Sequence, residues 1–176
     1  MNNESLIFNV KDLLEGGNAA SEMYSHDSEA ELEGLTLKTP IKGKFTLMNL
    51  DDAISVQFED INLSVEMECE RCLKAYSEKI KIPSADRIFE LEAPVDIEDP
   101  NDIFLIDRKT FEIDLTEPLR QEIILHFPAI PVCSSGCQGI CPLCGTNRNS
   151  KKCDCQEEKA EEHKPLAALK DLFKDQ

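Results

Sequence analysis

Eight cysteines are the feature that most limits how this chain can fold. Six of them lie between residues 133 and 155, and the other two form a C-x-x-C pair about sixty residues upstream. Two residues between cysteines allow a tight turn to bring both sulfurs within about 2.3 Å of one tetrahedral ion, so a C-x-x-C pair is half of a metal site. The eight positions are Cys69, Cys72, Cys133, Cys137, Cys141, Cys144, Cys153 and Cys155.

The spacing divides the cysteines into two groups of four. The segment 141–145, C-P-L-C-G, is a strong half-site, because its proline presets the turn and its glycine accepts the left-handed conformation that follows. Cys153 and Cys155 are predicted to complete this site. The other predicted site takes the remaining four, Cys69, Cys72, Cys133 and Cys137. It would join a distant hairpin to the C-terminal region, although the three-residue gap between its last two members leaves open that these two split between the sites.

Zinc is the metal that the pattern favours, with about two ions per chain. Disulfides are an alternative, but residues 1–5 lack the positive and apolar segments of a signal peptide. Iron is the closest rival, since the knuckle at 141–145 would also suit a rubredoxin. The partner pair, however, is C-x-C flanked by Lys151 and Lys152, and the chain has no tryptophan to shield a redox centre.

Charge and length exclude some classes of protein. The 176 residues, 41% of them hydrophobic, suffice for one ordinary domain with a real core. No run of about 18 apolar residues exists, so no membrane span is expected. The formal charge of −16, from 35 acidic and 19 basic residues, argues against a general nucleic-acid coat protein, because such binding depends on neutralising phosphates.

The pattern between Thr36 and Ile82 predicts antiparallel strands that are buried on one face. Apolar residues alternate with polar ones along 54–58 and again along 61–67, and this second run leads directly into Cys69. Residues 73–82 are predicted to return as the partner strand. The first C-x-x-C pair should therefore lie in a hairpin.

Other segments are expected to be short or irregular. Residues 6–10 predict an opening strand, followed by a helical turn over 11–15. Residues 18–33 are polar and predict a mobile loop in which His26 is solvated. Residues 84–102 are rich in acids and predict a solvated excursion rather than a catalytic carboxylate pair, because no histidine accompanies them. Short strands are predicted around Phe104, Ile106, Phe111 and Ile113.

A helix is predicted just before the cysteine-rich segment. Asp114 or Thr116 should cap it, with Pro118 in its first turn, where a missing amide is least costly. His126, near its end, is predicted to pack or cap rather than to bind metal. The expected apolar face consists of Leu115, Leu119, Ile123, Ile124 and Phe127.

A last short helix is predicted from Pro165, with Leu166, Leu169, Leu172 and Phe173 at helical spacing. It would either pack on its own domain or dock on a partner. The predicted fold class is therefore α+β, with an antiparallel β-rich core, a mid-chain helix, a cysteine-rich zinc-knuckle segment and a short C-terminal helix. The expected organisation is a core domain over 1–132, the knuckle segment over 133–155 packed on it, and an acidic linker with the last helix over 156–176.

The order of these parts resembles one family, the YceD-type large ribosomal RNA subunit accumulation proteins. The resemblance rests on the C-E-R-C hairpin, the helix sequence DLTEPLRQEIILHFP, the C-x3-C-x-G-I-C-P-x-C-G run, the C-x-C pair and the final A-A-L-K-x-L helix. It implies a cytoplasmic accessory factor that supports normal levels of large-subunit ribosomal RNA and has no known catalytic activity. Members often carry D-P-R where this chain has Lys164-Pro165-Leu166.

The predicted function is thus that of a non-enzymatic, zinc-stabilised ribosome biogenesis factor. Its partner would be a large-subunit precursor or a ribosomal protein, and Arg148, Lys151 and Lys152 form a basic loop that could either contact RNA phosphate or be solvated. A zinc-binding interaction module unrelated to ribosomes is the alternative. A redox protein is disfavoured, since redox pairs usually stand singly. A zinc enzyme is disfavoured because catalytic zinc keeps an open position, whereas these cysteines form two complete fours.

Overall fold

The computed structural model describes residues 6–92 and 103–155, and their largest unit is one five-stranded sheet. The sheet order is β2-β3-β4-β5-β6, antiparallel except for the β5–β6 pair, and β1 pairs with β7 in a separate two-stranded ribbon. The fold is therefore α+β with a β-rich core. The elements are β1 (Ile7–Asn9), α1 (Lys11–Glu15), β2 (Ser21–Ser28), β3 (Ile41–Asn49), β4 (Ala53–Glu68), β5 (Ala75–Glu90), β6 (Phe104–Leu105), β7 (Glu112–Asp114) and α2 (Thr116–Leu125).

The two sixteen-residue strands β4 and β5 form a long hairpin, paired from Ala53 opposite Glu90 to Glu68 opposite Ala75. The alternation predicted for β4 is confirmed, and it changes phase between Phe58 and Ile61, both buried. A β-bulge opposite β3 explains the change, since one extra residue keeps both runs on the same face. Gly43 lies at this bulge, where an added Cβ would stand 2.3 Å from Ile61 Cδ1.

The core lies between one face of the sheet and helix α2. Leu119 and Ile123 of α2 are completely buried, as are Phe45 and Phe58, whose rings meet edge to face with centroids 5.5 Å apart. Burying this apolar area supplies most of the stability of a domain of this size. An ion pair between Arg87 of β5 and the buried carboxylate of Glu122 joins the helix to the strand.

The predicted mobile loop over residues 18–33 is wrong. Residues 21–28 form β2, which pairs with β3 along its whole length, and His26 is only 2% exposed, with its ring 5.3 Å from that of Phe45. The inward positions of β2 include Tyr24 and His26, whose rings carry polar atoms. A search for alternating apolar residues therefore misses this strand, because tyrosine and histidine count as polar although their rings pack in the core.

The solvated excursion predicted from residue 84 is also wrong at its start, because β5 runs on to Glu90 and Phe89 is buried. Residues 93–102, like the last helix predicted at 165–173, lie outside the described residues. The opening strand, the first helical turn and the short strands near 104 and 112 are confirmed. No helix among the described residues is long and apolar enough to cross a membrane.

Helix α2 starts one residue later than a cap at Asp114 would require. The N-cap position is Leu115, which makes no side-chain cap, although the Asp114 carboxylate accepts a hydrogen bond from the Thr116 backbone amide at 2.8 Å. Pro118 lies in the first turn, as predicted.

Ile124, predicted on the buried face of α2, is 38% exposed. His126 is at the C-cap, with Nδ1 2.8 Å from the carbonyl oxygen of Glu122, which agrees with the predicted packing or capping role.

Candidate metal centre

The β4–β5 hairpin ends in a knuckle that carries the first C-x-x-C pair. β4 ends at Glu68, and the backbone amide of Cys69 donates to the carbonyl of Lys74 (3.0 Å) while the amide of Leu73 donates back to Cys69 (2.8 Å). These two bonds close the turn and hold both sulfurs at the tip of the hairpin. Cys69 and Cys72 are buried, at 0% and 5% exposure.

The chain after α2 packs along this knuckle through backbone hydrogen bonds. The amide of Glu70 donates to Pro131, and the amide of Ile140 donates to Arg71, at 2.9 and 3.0 Å. The Arg71 guanidinium in turn donates to the carbonyl of Cys137. Gly139 is required here for two reasons: its φ is +71°, and an added Cβ would lie 2.9 Å from the carbonyl oxygen of Arg71. The sequence 131–141 is thereby held against the hairpin.

This packing brings together the first set of four sulfurs, those of Cys69, Cys72, Cys133 and Cys137, all within 4.8 Å of one another. The Sγ atoms of Cys69 and Cys137 are 3.8 Å apart, and those of Cys72 and Cys133 are 3.7 Å apart. Four sulfurs placed about 2.3 Å from one tetrahedral ion would be separated by about 3.8 Å. The spacing therefore fits a tetrahedral metal, and all eight cysteines are free thiols rather than disulfides.

The second set consists of Cys141, Cys144, Cys153 and Cys155, whose sulfurs also lie within 4.8 Å of one another. Gly145, at φ +71°, donates its amide to the carbonyl of Cys141 (2.9 Å), and the Cys141 amide donates to Thr146 (2.8 Å). Cys141 is buried but Cys144 is exposed. Because no cysteine of the first set is exposed, the second site is more open to solvent than the first. The two sets are the ones predicted from spacing, and the possible exchange of Cys133 and Cys137 between sites does not occur.

Asn149 links the two sets, and nothing in the sequence pattern had singled it out. Its Nδ2 donates to the sulfur of Cys137 at 3.3 Å, and its Oδ1 accepts from the amide of Gln138 at 2.8 Å. The amide of Arg148 donates to Gly139 at 2.9 Å in the same region. An N–H donor to a ligand sulfur tunes and orients that ligand. The loop of the second site therefore helps to orient a cysteine of the first site.

The electrostatics of both sets favour a bound cation. Burial raises the pKa of the Cys69 thiol, but backbone hydrogen bonds from Cys133, Arg71 and Cys72 outweigh it and lower the pKa to about 6. Backbone hydrogen bonds from Cys144 and Leu143 lower the pKa of Cys141 to about 6 as well. In contrast, burial raises the pKa of Cys133. Four thiolates this close repel one another, so complete ionisation requires a positive ion between them.

The two knuckles differ at one backbone position. In 141–145 the residue after the second cysteine is Gly145, whereas in 69–73 it is Leu73, which holds φ at +58°. A left-handed conformation costs a residue with a Cβ roughly 1–2 kcal/mol. The Leu73 side chain is 57% exposed, so its burial offsets little of that cost. The first knuckle therefore contains backbone strain that the second avoids.

Replacing Leu73 by glycine should stabilise the protein. The relieved strain exceeds the added freedom of glycine in the unfolded chain, so we expect a gain of about 1 kcal/mol, or roughly 2–4 °C in Tm. Leu143→Gly is a matched control, since Leu143 is 62% exposed in the other knuckle and has no positive φ. This control should lower Tm in thermal unfolding followed by circular dichroism. Equal losses for the two variants would refute the strain.

The basic loop at Arg148, Lys151 and Lys152 lies beside the second set. Arg148 and Lys152 line a cleft of about 240 Å³ together with Gln138, Cys153 and Cys155. Both lysines are exposed and Arg148 is half-buried. The structure thus places two of the three predicted bases, Arg148 and Lys152, beside Cys153 and Cys155.

The site and fold define the chain as a β-rich α+β protein with two four-cysteine clusters, one of which joins a hairpin to the C-terminal segment. The sequence model of the family described as large ribosomal RNA subunit accumulation protein YceD matches residues 60–173, and the chain belongs to this family. The resemblance drawn from the sequence is therefore confirmed. The match covers the β4–β5 hairpin from the bulge onward, helix α2 and all eight cysteines.

The chain is also similar to the large ribosomal RNA subunit accumulation protein YCED homolog 1, chloroplastic, of Arabidopsis thaliana. The two are 39% identical over 61 residues, which are 34% of this chain and 19% of the relative. The match thus spans about a fifth of the length of that relative. No solved structure matches the chain.

Proposed function

We propose that this chain is a non-enzymatic factor that supports the accumulation of large-subunit ribosomal RNA, and that zinc stabilises it. The observation that supports this most is the family match over residues 60–173, which includes the metal-knuckle region and the strands that position it. The name of the Arabidopsis thaliana relative points in the same direction. The partner would be a large-subunit precursor or a ribosomal protein.

Zinc is the metal proposed for both cysteine sets. Four thiolates are a complete tetrahedral set for zinc, and such sites are structural because they leave no open position for water or substrate. Cys69, Cys72, Cys133 and Cys137 would hold one ion, and Cys141, Cys144, Cys153 and Cys155 the other. The chemistry that zinc supplies here is a cross-link between segments. This supports a role in shaping a binding surface rather than in catalysis.

The net charge supports a restricted mode of binding. At −16, the chain as a whole is repelled by RNA, so stable attachment over its whole surface is not expected. Contact with the ribosome would instead run through a protein partner or through a small local cationic patch. A zinc-binding interaction module unrelated to ribosomes is the second candidate, and the same geometry would serve it.

Depletion of the protein from its cells tests the proposed function. We expect the ratio of large- to small-subunit ribosomal RNA to fall, and wild-type protein supplied from a plasmid to restore it. In sucrose gradients of cell extract, the protein should migrate with precursor large subunits. An unchanged RNA ratio, together with absence of the protein from all ribosomal fractions, would instead favour the interaction module.

A further inference from the structure

The outward face of the sheet carries a row of lysines at the level of the bulge. Lys42 of β3 lies opposite Asn62 of β4, and Asn62 lies opposite Lys81 of β5. Lys79 lies opposite Ser64 in the next outward row. The three lysines are exposed, whereas Ile80 and Ile82 between and beside them on β5 are buried against the core. The alternation of the strands therefore places the lysines together on the solvent side.

These residues line a cleft of about 220 Å³, here called the lysine cleft, which is bounded by the polar residues Thr39, Lys42, Asn62, Ser64, Lys79 and Lys81 and by the apolar residues Pro40, Leu63 and Ile80. Lys42 is paired with Asp27 of β2 at 3.1 Å. In contrast, Lys79 and Lys81 form no ion pair among residues 6–92 and 103–155. Nearby, Lys38 and Glu66 neutralise each other. The cleft thus carries two positive charges that no ion pair of the described residues neutralises, on a chain whose net charge is −16.

We propose that the lysine cleft binds the phosphate backbone of RNA. The choice of RNA as the partner rests on the proposed function. The location of the site rests on the local charge and geometry. Lysine contacts phosphate as a point charge. The Asn62 side-chain amide already donates one N–H to the carbonyl of Asp60, and its second N–H can donate to a ligand between the charged groups. Lys79 and Lys81 are two residues apart on one strand face, or roughly 7 Å, so they can engage separate phosphates.

The basic loop beside the second cysteine set is the rival RNA contact, and charge balance disfavours it. Its positive residues are Arg148, Lys151 and Lys152, and Asp154 opposes one of them. A zinc ion held by four thiolates carries a net charge of about −2. With the metal bound, the loop and its site are therefore close to neutral. Its bases compensate the thiolates, whereas Lys79 and Lys81 have no comparable negative neighbour among the ion pairs of the described residues.

The experiment measures binding of the purified, full-length protein to transcribed large-subunit ribosomal RNA by filter retention over a range of salt concentrations. Lys79→Glu with Lys81→Glu should weaken binding tenfold or more. It should also reduce the slope of log K against log salt by about 2, because each lost phosphate contact removes about 1. Lys79→Gln with Lys81→Gln should show the same direction with a smaller loss.

Two control variants replace basic residues outside the lysine cleft by glutamate. Lys11→Glu with Lys109→Glu reverses two exposed lysines outside the cleft and should leave the salt slope unchanged. Arg148→Glu with Lys151→Glu and Lys152→Glu tests the rival loop and should retain most of the binding. Circular dichroism checks that each variant is folded.

The proposal is overturned if wild-type protein does not bind the RNA, if the Lys79 and Lys81 variants bind like wild type, or if only the loop variant loses binding. Failure here is distinguishable from failure of the proposed function. If the Lys79 and Lys81 variants bind poorly but depletion leaves ribosomal RNA unchanged, the site stands and the function does not. If depletion lowers ribosomal RNA and the variants restore it fully while binding normally, the function stands and the site does not.

Discussion

Removal of metal from the purified protein should unfold residues 131–155 while the five-stranded sheet stays folded. The main core cluster consists of residues of the strands, α1, α2 and the segments beside them, and among the described residues nothing after Phe127 belongs to it. The C-terminal segment belongs to a second, small cluster that consists of Cys69, Cys72 and Cys137, with Tyr76, Val132 and Cys133 packed against it. Such a cluster buries too little apolar surface to hold a segment in place by itself.

The measurement combines elemental analysis with hydrogen exchange. We expect two zinc ions per chain as purified. After treatment with a strong chelator, the amides of Ile140 and Cys141, which are hydrogen-bonded in the structure, should exchange rapidly, while those of β3 and β4 remain protected. Cys153→Ser with Cys155→Ser should keep the Ile140 amide protected, because it leaves the first set intact.

Iron in place of zinc would appear in the elemental analysis and in a visible absorption spectrum. No change in exchange on chelation, or loss of the whole sheet together with the C-terminal segment, would contradict the division into a metal-independent sheet and a metal-dependent segment.

The second large effect is a difference between the two sites. Cys69→Ser should destabilise the protein more than Cys153→Ser, since the first set joins segments about sixty residues apart and the second closes a loop of about ten. Loop entropy alone makes the first cross-link worth about 1.5 kcal/mol more. That difference corresponds to roughly 3–6 °C in Tm. The burial of Cys69, compared with the half-buried Cys153, increases it further.

Thermal unfolding in the presence of excess zinc measures both variants under one condition. Cys144→Ser is a matched control, because Cys144 is exposed and belongs to the second set, so its variant should resemble Cys153→Ser. Equal losses of Tm for Cys69→Ser and Cys153→Ser would count against the first set as the long-range cross-link.

The sequence predicted those parts whose chemistry is local. Cysteine spacing and the tight turn at 141–145 were enough to assign all eight sulfurs to their two sets, and alternation was enough for the β4–β5 hairpin. The alternation of apolar residues failed to predict β2, because its inward residues Tyr24 and His26 are not apolar in type although they are packed in the core.

Features that depend on contacts between distant segments were not predictable. The place of Asn149 against the sulfur of Cys137 depends on how the second knuckle lies on the first. The strain at Leu73 depends on a turn that glycine would normally occupy. The lysine cleft depends on the register of three strands, which sequence alternation specifies within each strand but not between them.

The cysteines of the first set leave the ribosome at different times during synthesis of the chain. Cys69 and Cys72 leave the translating ribosome before β5 and α2, and Cys137 follows them by roughly 3–13 s at ordinary rates of synthesis. During that interval the hairpin would supply only two of the four ligands proposed for the ion, too few for a closed structural site. Tight capture of the ion becomes possible only when the chain beyond α2 has emerged and docked on the hairpin. Loading of the proposed ion would therefore be a late event of biosynthesis, and a nascent chain that stalls before Cys133 would be released without it.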